Sequence, residues 1–233
     1  MGPFRITREQ YLADRSGKIR GAANPSIMDK LFWKYMIARN GGCNVGRKHF
    51  PKTEDPLWCF DRLGRTATVL PDGRHVLIGG KHVNFRNHID FCIYNDVVVI
   101  ANQLPPSGPE SITIYGYPVD VFPPTHSHSS TYIRDQASGK DFIYIIGGWG
   151  YGSSAFLDRT DVYRLDLSDF SIEHLPTSGD KPSARRNRRT STTGYRASVV
   201  NNDDGHDVSI HIITKDGKRF SLLINKLTWI SHN

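Results

Sequence analysis

Short runs of apolar residues recur along the chain from Leu57 to its end, and turn-forming pairs separate them. The runs are rich in β-branched and aromatic residues, whereas the turns contain Asp-Gly, Pro-Pro, Gly-Gly and Asn-Asn. Runs of this length and composition are typical of strands rather than helices. The pattern therefore predicts an all-β body.

One plan occurs three times within this body. Residues 65–70 precede HVLIGG, residues 129–133 precede FIYIIGG, and residues 197–200 precede SIHIITKDG. A plan that recurs at a nearly constant spacing indicates stacked supersecondary units. Four antiparallel strands per unit is the composition of a propeller blade. The predicted strands are residues 66–70, 76–78, 91–100 and 112–115, then 129–133, 142–146, 162–167 and 171–175, then 197–200, 208–213, 220–224 and 229–230.

The segment before Leu57 predicts a single helix. Asn24-Pro25 is a start signal, apolar residues follow at helical spacing, and Gly41-Gly42 is a stop signal. We therefore predict an N-terminal extension at residues 1–56 with a helix at about 25–39. The predicted blades follow at about residues 57–117, 118–181 and 182–233.

The repeats resemble the kelch family of β-propellers, which includes the galactose-oxidase central domain. Gly79-Gly80 and Gly147-Gly148 match the diglycine that ends the second strand of a kelch blade. Residues 163–166 match the third-strand signature, and Trp229 matches the fourth-strand tryptophan. The resemblance is degenerate, because the third repeat has no diglycine. It implies a kelch-like β-propeller of about three four-stranded blades.

Three blades do not close a ring, since propellers have roughly 4 to 8. One solution is that the residues before Leu57 complete the sheets, with Trp58-Cys59-Phe60 as an outer strand. The other is that two chains join their open blade edges. An open propeller leaves sheet edges exposed, a state that proteins avoid, and we favour the second solution. The expectation is a homodimer.

The net charge of +7 and the isoelectric point near 9.4 point to acidic partners. The densest basic cluster contains Arg185, Arg186, Arg188 and Arg189. A basic loop between strands is most often a solvated surface, and the alternative is binding of acidic partners or nucleic acid. Nucleic acid is the less favoured partner, because no RRM, KH or zinc-finger pattern is present.

The apolar runs, the first residues and the cysteines of the sequence bear on the cellular compartment. No apolar run approaches the roughly 20 residues that cross a bilayer, and the charged first residues lack the apolar segment of a secretory signal. Three cysteines, an odd number, do not make a complete disulfide framework. We expect an intracellular, cytoplasmic protein without a membrane partner.

Two loops after the second strands are the predicted binding face. The second-repeat loop, residues 147–154, carries Trp149 and Tyr151 among glycines. The equivalent first-repeat segment carries polar and aromatic residues, namely His82, Phe85, Arg86 and His88. Exposed aromatics in glycine-rich loops are typical of recognition sites. The favoured function is therefore a non-catalytic one, the binding of a protein or small-molecule partner.

The alternative is a cofactor-free enzyme of the isomerase or cyclase type. Its candidate catalytic residues are His126, His128, Arg65 and Tyr94, lining a channel or a dimer cleft. Strand alternation would direct both imidazoles to the same face, but a metal site would need a third ligand nearby. Neither a copper set around Cys92 and Tyr94 nor a carboxylate-histidine iron motif has the required spacing, so we expect no metal and no cofactor.

The segment GGCNVGRKH, residues 41–49, resembles a phosphate-binding loop only superficially. The Lys of that motif directly follows the last glycine and precedes Ser or Thr, whereas here Arg47 intervenes and His49 follows. Cys43 lies among basic side chains, which favour the thiolate. A nucleophilic Cys43 is a minor alternative to an ordinary loop cysteine.

Overall fold

The computed structural model describes residues 4–83, 91–101, 106–151, 160–182, 196–201, 208–214 and 217–232. The chain divides into two compact units, Met1–Pro118 and Val119–Asn233. No helix of the described residues is long and apolar enough to cross a membrane.

The described strands belong to four sheets, and none of the sheets closes into a barrel. All strand pairs are antiparallel except that of β12 with β16. In chain order the strands are β1 (Ser26–Ile27), β2 (Thr66–Val69), β3 (His75–Ile78), β4 (Lys81–Val83), β5 (Phe91–Ile93), β6 (Val97–Ile100), β7 (Ile112–Gly116), β8 (Ser129–Arg134), β9 (Asp141–Ile146), β10 (Val162–Asp166), β11 (Ile172–Leu175), β12 (Ser178–Gly179), β13 (Arg196–Asn201), β14 (Val208–Ile213), β15 (Arg219–Leu223) and β16 (Thr228–His232).

The four strands predicted for each repeat fall largely into one sheet, and strands from outside the predicted repeats join the first and third sheets. The sheet orders are β1-β7-β6-β3-β2, β11-β10-β9-β8 and β12-β16-β15-β14-β13. The all-β prediction is confirmed, and the predicted strands agree with the observed ones to within a few residues, with one exception. The strand expected at residues 91–100 is two strands, β5 and β6. Because β5 pairs with β4 in a separate two-stranded sheet, residues 94–96 lie between two sheets.

The described residues of the first unit contain three α-helices, where one was predicted. They are α1 (Arg8–Arg15), α2 (Leu31–Ala38) and α3 (Asn44–His49), and a 3-10 turn covers Pro109–Ser111. The helix predicted at about 25–39 begins only at Leu31, because Ser26–Ile27 instead pair with β7 as β1. A capping box formed by Thr7 and Gln10 starts α1.

An aromatic core holds α2 against the first sheet. Trp33 of α2 stacks on Trp58, with ring centroids 5.0 Å apart and nearly parallel planes. Both rings are fully buried together with Ile114 of β7. Trp58-Cys59-Phe60, an outer strand in the less favoured way of completing the propeller, forms a buried loop with no strand pairing. The segment is not an outer strand because its buried side chains pack with those of α2 and the first sheet.

The core of the second unit lies between its two sheets. Ile146 and Val162 of the second sheet pack with Ile210, Leu222 and Trp229 of the third. The Trp229 ring is buried and its Nε1–H donates to Thr177 Oγ1 at 3.2 Å. Apolar side chains on facing sheets thus bury one another, as the strand alternation requires.

The diglycines adopt the left-handed backbone that their sequence position predicts. Gly79 and Gly80 have φ of +57° and +99°, and Gly147 and Gly148 have φ of +68° and +104°. A Cβ on Gly148 would lie 2.3 Å from Thr125 Oγ1 and 3.0 Å from a backbone oxygen. Both the conformation and the close approach therefore require glycine.

We expect Gly148→Ala to lower the free energy of unfolding of the second unit by at least about 2 kcal/mol, since strain and overlap add. The matched control is Gly139→Ala, at φ +68° with no atom within 4 Å of the added Cβ. It should cost only about 1 to 2 kcal/mol of backbone strain. Urea unfolding followed by tryptophan fluorescence measures both, and equal losses would refute the packing argument.

Candidate metal centre

Two cysteines and a histidine converge in the first unit. Cys43 immediately precedes α3, Cys59 lies in the buried loop, and His82 lies in β4. Their sulfur atoms and a ring nitrogen all lie within 4.8 Å of one another, and Cys43 Sγ is 3.5 Å from His82 Nε2. Among the residues that the structure describes, no other group of His, Cys, Asp or Glu side chains has this arrangement.

The His82 ring is held in one orientation by the backbone. Its Nδ1 lies 3.2 Å from the carbonyl oxygen of Asp61. Because a carbonyl only accepts hydrogen bonds, Nδ1 carries the proton and donates. In the neutral ring this leaves the lone pair on Nε2, the nitrogen that faces the sulfurs. Histidine ligands of metals are commonly oriented in this way.

The Cys59 thiol is fully buried and surrounded by polar contacts. Its Sγ accepts a hydrogen bond from the Cys43 N–H at 3.1 Å. A side-chain hydrogen bond with Cys43, together with His82, lowers the pKa of Cys59 to about 5. The side-chain hydrogen bond with Cys59 raises the pKa of Cys43, with burial adding to the effect, and the contact with Cys59 also raises the pKa of His82. The contacts within the group thus favour the thiolate form of Cys59.

Tyr94 fixes the backbone of the buried loop. The Cys59 N–H donates to the Tyr94 hydroxyl at 3.1 Å, and that hydroxyl donates to the Leu57 carbonyl at 3.2 Å. Burial raises the pKa of Tyr94 well above its usual value, so the phenol stays protonated. The loop that carries Cys59 therefore keeps one conformation.

Arg62 connects the Cys59 loop to the strand pair that carries His82. Its Nε donates to the Cys59 carbonyl at 2.6 Å, and Nη1 donates to the Gly79 carbonyl at 3.0 Å. Both terminal nitrogens also bind the Asp96 carboxylate, at 2.5 and 2.8 Å. Gly79 lies two residues before β4, the strand that contains His82. One guanidinium therefore links the backbone near Cys59 to the backbone near His82.

Aromatic rings enclose this guanidinium. The Arg62 Cζ atom lies 3.6 Å from the centroid of the Tyr94 ring and 4.7 Å from that of Trp58. The Trp58 Nε1–H donates to Asp96 at 2.5 Å. The ion pair is almost completely buried on both sides. A buried pair with satisfied donors keeps its geometry, because breaking it leaves an uncompensated charge.

The separation of the donor atoms fits Zn²⁺. Zinc binds Cys sulfur at about 2.3 Å and His nitrogen at about 2.0 Å, so two such ligands at a tetrahedral angle are roughly 3.5 Å apart. Cys43 Sγ and His82 Nε2 have this separation. This separation therefore matches that of two ligands of one zinc ion, and the Cys59 sulfur lies within 4.8 Å of both atoms.

The structure divides the predicted catalytic residues between the two units. Tyr94 and Arg65 belong to the first unit, whereas His126 and His128 belong to the second. Arg65 donates to the Phe60 carbonyl at 2.8 Å and stacks on the Phe60 ring. Burial and the nearby Arg62 charge lower the pKa of Arg65 to about 10. Tyr94 and Arg65 both form hydrogen bonds with the Cys59 loop, and neither belongs to the group of Cys43, Cys59 and His82.

The prediction that His126 and His128 point to the same face assumed that they lie on an extended strand, and the structure does not have that strand. Ser127 between them has φ +57°, so this segment is not an extended strand and alternation does not apply. The His126 N–H instead donates to the Trp149 carbonyl at 2.9 Å, and the Trp149 N–H donates to the His126 carbonyl at 2.8 Å. His128 is buried and His126 is half-buried.

The predicted binding loops are described in part. His82 belongs to the metal centre, Trp149 is half-buried, and Tyr151 is 44% exposed. Seven predicted residues lie outside the described part of the chain, namely Phe85, Arg86, His88, Arg185, Arg186, Arg188 and Arg189.

Comparison with known proteins finds neither a protein-family model nor a curated protein that matches this chain.

We expect Asp96→Asn to destabilise the first unit by about 3 to 5 kcal/mol, because Arg62 would keep a buried charge without a counter-ion. The control is Asp72→Asn, which removes a half-exposed partner of Arg74 and should cost no more than about 1 kcal/mol. Thermal and urea unfolding measure both losses. Similar stability of the two variants would show that the buried pair does not hold the site together.

Burial keeps His128 neutral, and the neighbouring His126 adds to the effect, so that its pKa falls to about 3. The unfolded chain binds the proton near pH 6.5. The contribution of neutral His128 to the free energy of unfolding is therefore fully present above pH 6.5. It is lost as the pH falls from 6.5 toward 3, by up to about 1.4 kcal/mol per pH unit. His128→Leu should flatten this part of the stability curve, and an unchanged slope would contradict a neutral buried His128.

Proposed function

We propose that the Met1–Pro118 unit binds a zinc ion through Cys43 Sγ, Cys59 Sγ and His82 Nε2. The observation that carries the proposal is the His82 ring, whose Nδ1 is held by the Asp61 carbonyl while Nε2 faces both sulfurs. The hydrogen bond to the Asp61 carbonyl places the proton of the neutral ring on Nδ1 and leaves the Nε2 lone pair for a metal. Histidine ligands of metals commonly donate their other ring N–H in this way.

The donor set selects the class of metal. Two thiolates and an imidazole suit Zn²⁺ and other thiophilic ions, whereas Mg²⁺ and Ca²⁺ require oxygen ligands. No carboxylate belongs to the group of three. The donor set thus supports zinc over the oxygen-binding cations.

Three protein ligands imply one further coordination position. Structural zinc sites have four protein ligands, whereas zinc sites that act on substrates have three and keep a position for water or substrate. Cys43 and His82 are only half-buried, so the position is close to solvent. Zinc would supply Lewis-acid chemistry there, such as lowering the pKa of a bound water toward neutrality. The proposal thus favours a metal-dependent activity.

Cobalt substitution tests the site directly. Co²⁺ added to the metal-free chain should bind one ion per chain, with a sulfur-to-cobalt charge-transfer band and intense d–d bands of a tetrahedral site. Cys43→Ser, Cys59→Ser and His82→Gln should each weaken binding at least 10-fold, since each removes one of three ligands. Azide should shift the d–d bands if the fourth position is open.

The matched control is Cys92→Ser. Cys92 lies directly opposite His82 in the β4-β5 pair but does not belong to the group of three. Its substitution removes a thiol from the same hairpin and should leave the cobalt spectrum and the affinity unchanged. Absent charge-transfer bands in the parent chain, or equal loss of affinity in the control, would overturn the three-ligand site.

A second candidate function is partner binding by the second unit. A shallow surface depression lies beside Gly147 and Gly148. Its walls include Phe122, Tyr163 and the Asp161 carboxylate. The two rings pack edge to face, with centroids 5.3 Å apart. Aromatic faces next to one carboxylate favour a basic side chain of a partner protein.

This candidate is linked to the kelch-like propeller, which we retain as a proposal. The second and third sheets each contain a four-stranded meander, they share one core, and their first strands β8 and β13 contact each other. Adjacent blades of a propeller would have these features. The homodimer likewise stays a prediction, to be tested by light scattering against the chain mass of 26.3 kDa.

N-acetyl-arginine amide tests the depression. Its titration should shift the NMR signals of Phe122 and Tyr163, and Asp161→Asn should weaken binding at least 5-fold, because the only carboxylate of the lining is removed. N-acetyl-glutamine amide is the uncharged control ligand. Equal shifts with both ligands, or unchanged binding to the variant, would contradict recognition of a basic side chain.

A further inference from the structure

The two sulfur ligands of the proposed zinc site are close enough to react with each other. Cys43, Cys59 and Cys92 are all free thiols. The Cys59 sulfur lies 3.1 Å from the backbone nitrogen of Cys43, and the two sulfurs are within 4.8 Å. A disulfide needs the two Cα atoms within about 7 Å of each other, and a sulfur in contact with the other cysteine's backbone nitrogen is compatible with that limit. Rotation of the Cys43 side chain is then the main movement required.

The environment of Cys43 permits that rotation. Cys43 is half-buried and precedes a helix of six residues, and its side chain makes no capping hydrogen bond. Cys59, in contrast, is fully buried and held by Arg62 and Tyr94 through its backbone. One sulfur is thus accessible and adjustable, whereas the other is fixed.

We propose that hydroperoxides convert Cys43 and Cys59 of the metal-free chain into a reversible disulfide, and that this disulfide prevents zinc binding. The second part rests on the proposed zinc site, whereas the first part does not. Oxidation removes two of the three ligands and leaves only His82. The site would therefore respond to peroxide by losing its capacity for metal.

The reaction balances with one hydroperoxide. Cys43 passes its thiol proton to the neighbouring Cys59 sulfur, and the half-buried Cys43 sulfur then attacks an oxygen of hydrogen peroxide. The O–O bond breaks, and Cys43 becomes a sulfenic acid while one water leaves. The Cys59 sulfur then attacks the sulfenic sulfur, the S–S bond forms, and a second water leaves. The two thiols lose two electrons and two protons, and hydrogen peroxide is reduced to two waters.

Peptide mapping of the full-length chain tests the first part. The metal-free protein is treated with a small excess of hydrogen peroxide, blocked with iodoacetamide and digested with trypsin without reduction. Trypsin releases Cys43 in residues 40–47 and Cys59 in residues 53–62. The expected product is a cross-link between these two peptides, with Cys92 alkylated, and dithiothreitol should reverse it. The cross-link should be independent of protein concentration.

Variants and cobalt binding complete the test. Cys92→Ser should form the cross-link at an unchanged rate, whereas Cys43→Ser should form none. Oxidised protein should bind Co²⁺ at least 100-fold more weakly than reduced protein, and dithiothreitol should restore binding. A sulfinic acid on Cys43 without a cross-link, or a cross-link to Cys92, would overturn the proposed disulfide.

The two proposals fail in different ways. If the cross-link forms but the reduced chain binds no Co²⁺, the zinc site is refuted and the disulfide stands. If reduced and oxidised protein bind Co²⁺ equally, the claim that oxidation prevents metal binding is refuted. If Co²⁺ binds but no cross-link forms, the zinc site stands and the disulfide is refuted.

Discussion

The buried guanidinium of Arg62 is the interaction on which the first unit depends. A charge without solvent requires a counter-ion and acceptors for its donors. Here Asp96 supplies the charge, and the carbonyls of Cys59 and Gly79 supply further acceptors. These partners come from a loop, a diglycine turn and the segment between two strands. One side chain therefore fixes three parts of the backbone, and two of them position the ligands of the candidate metal centre.

The aromatic core explains how this charge is kept from water. Trp58 covers one side of the guanidinium and also stacks on Trp33 of α2. Burial of large rings supplies the hydrophobic free energy that offsets the cost of burying the ion pair. The helices are thus part of the site, because they seal the loop that carries Cys59. The N-terminal segment and the first repeat form one unit for this reason.

The strands could be predicted from the sequence because their information is local. β9, for example, is a run of β-branched and aromatic residues ended by Gly147-Gly148, and both features are visible without the structure. The start of α2 was placed too early, because Ser26–Ile27 pair with a strand far along the chain. The split of residues 91–100 has a similar cause, since β5 has a distant partner in β4.

The metal centre could not be predicted as a site. Cys43, Cys59 and His82 have no short metal-binding spacing, and they lie on three different elements. His82 was predicted only as a binding-loop residue. Cys43 was predicted as an ordinary loop cysteine, with a nucleophile as the minor alternative, and Cys59 only as part of an outer strand in the less favoured solution. The buried Arg62–Asp96 pair links the segments that contain Cys59 and His82, and these two residues belong to no recognisable sequence motif. The signal that was available was weak, namely free cysteines and a histidine within one unit.

X-ray absorption at the zinc edge tests the central claim most directly. Zinc-loaded, reduced protein should show two sulfur neighbours at about 2.3 Å and two nitrogen or oxygen neighbours at about 2.0 Å. The outer-shell scattering of one imidazole should be present, and it should disappear in His82→Gln. A shell of nitrogen and oxygen alone, or a shell of three or four sulfurs, would contradict a site made by Cys43, Cys59 and His82.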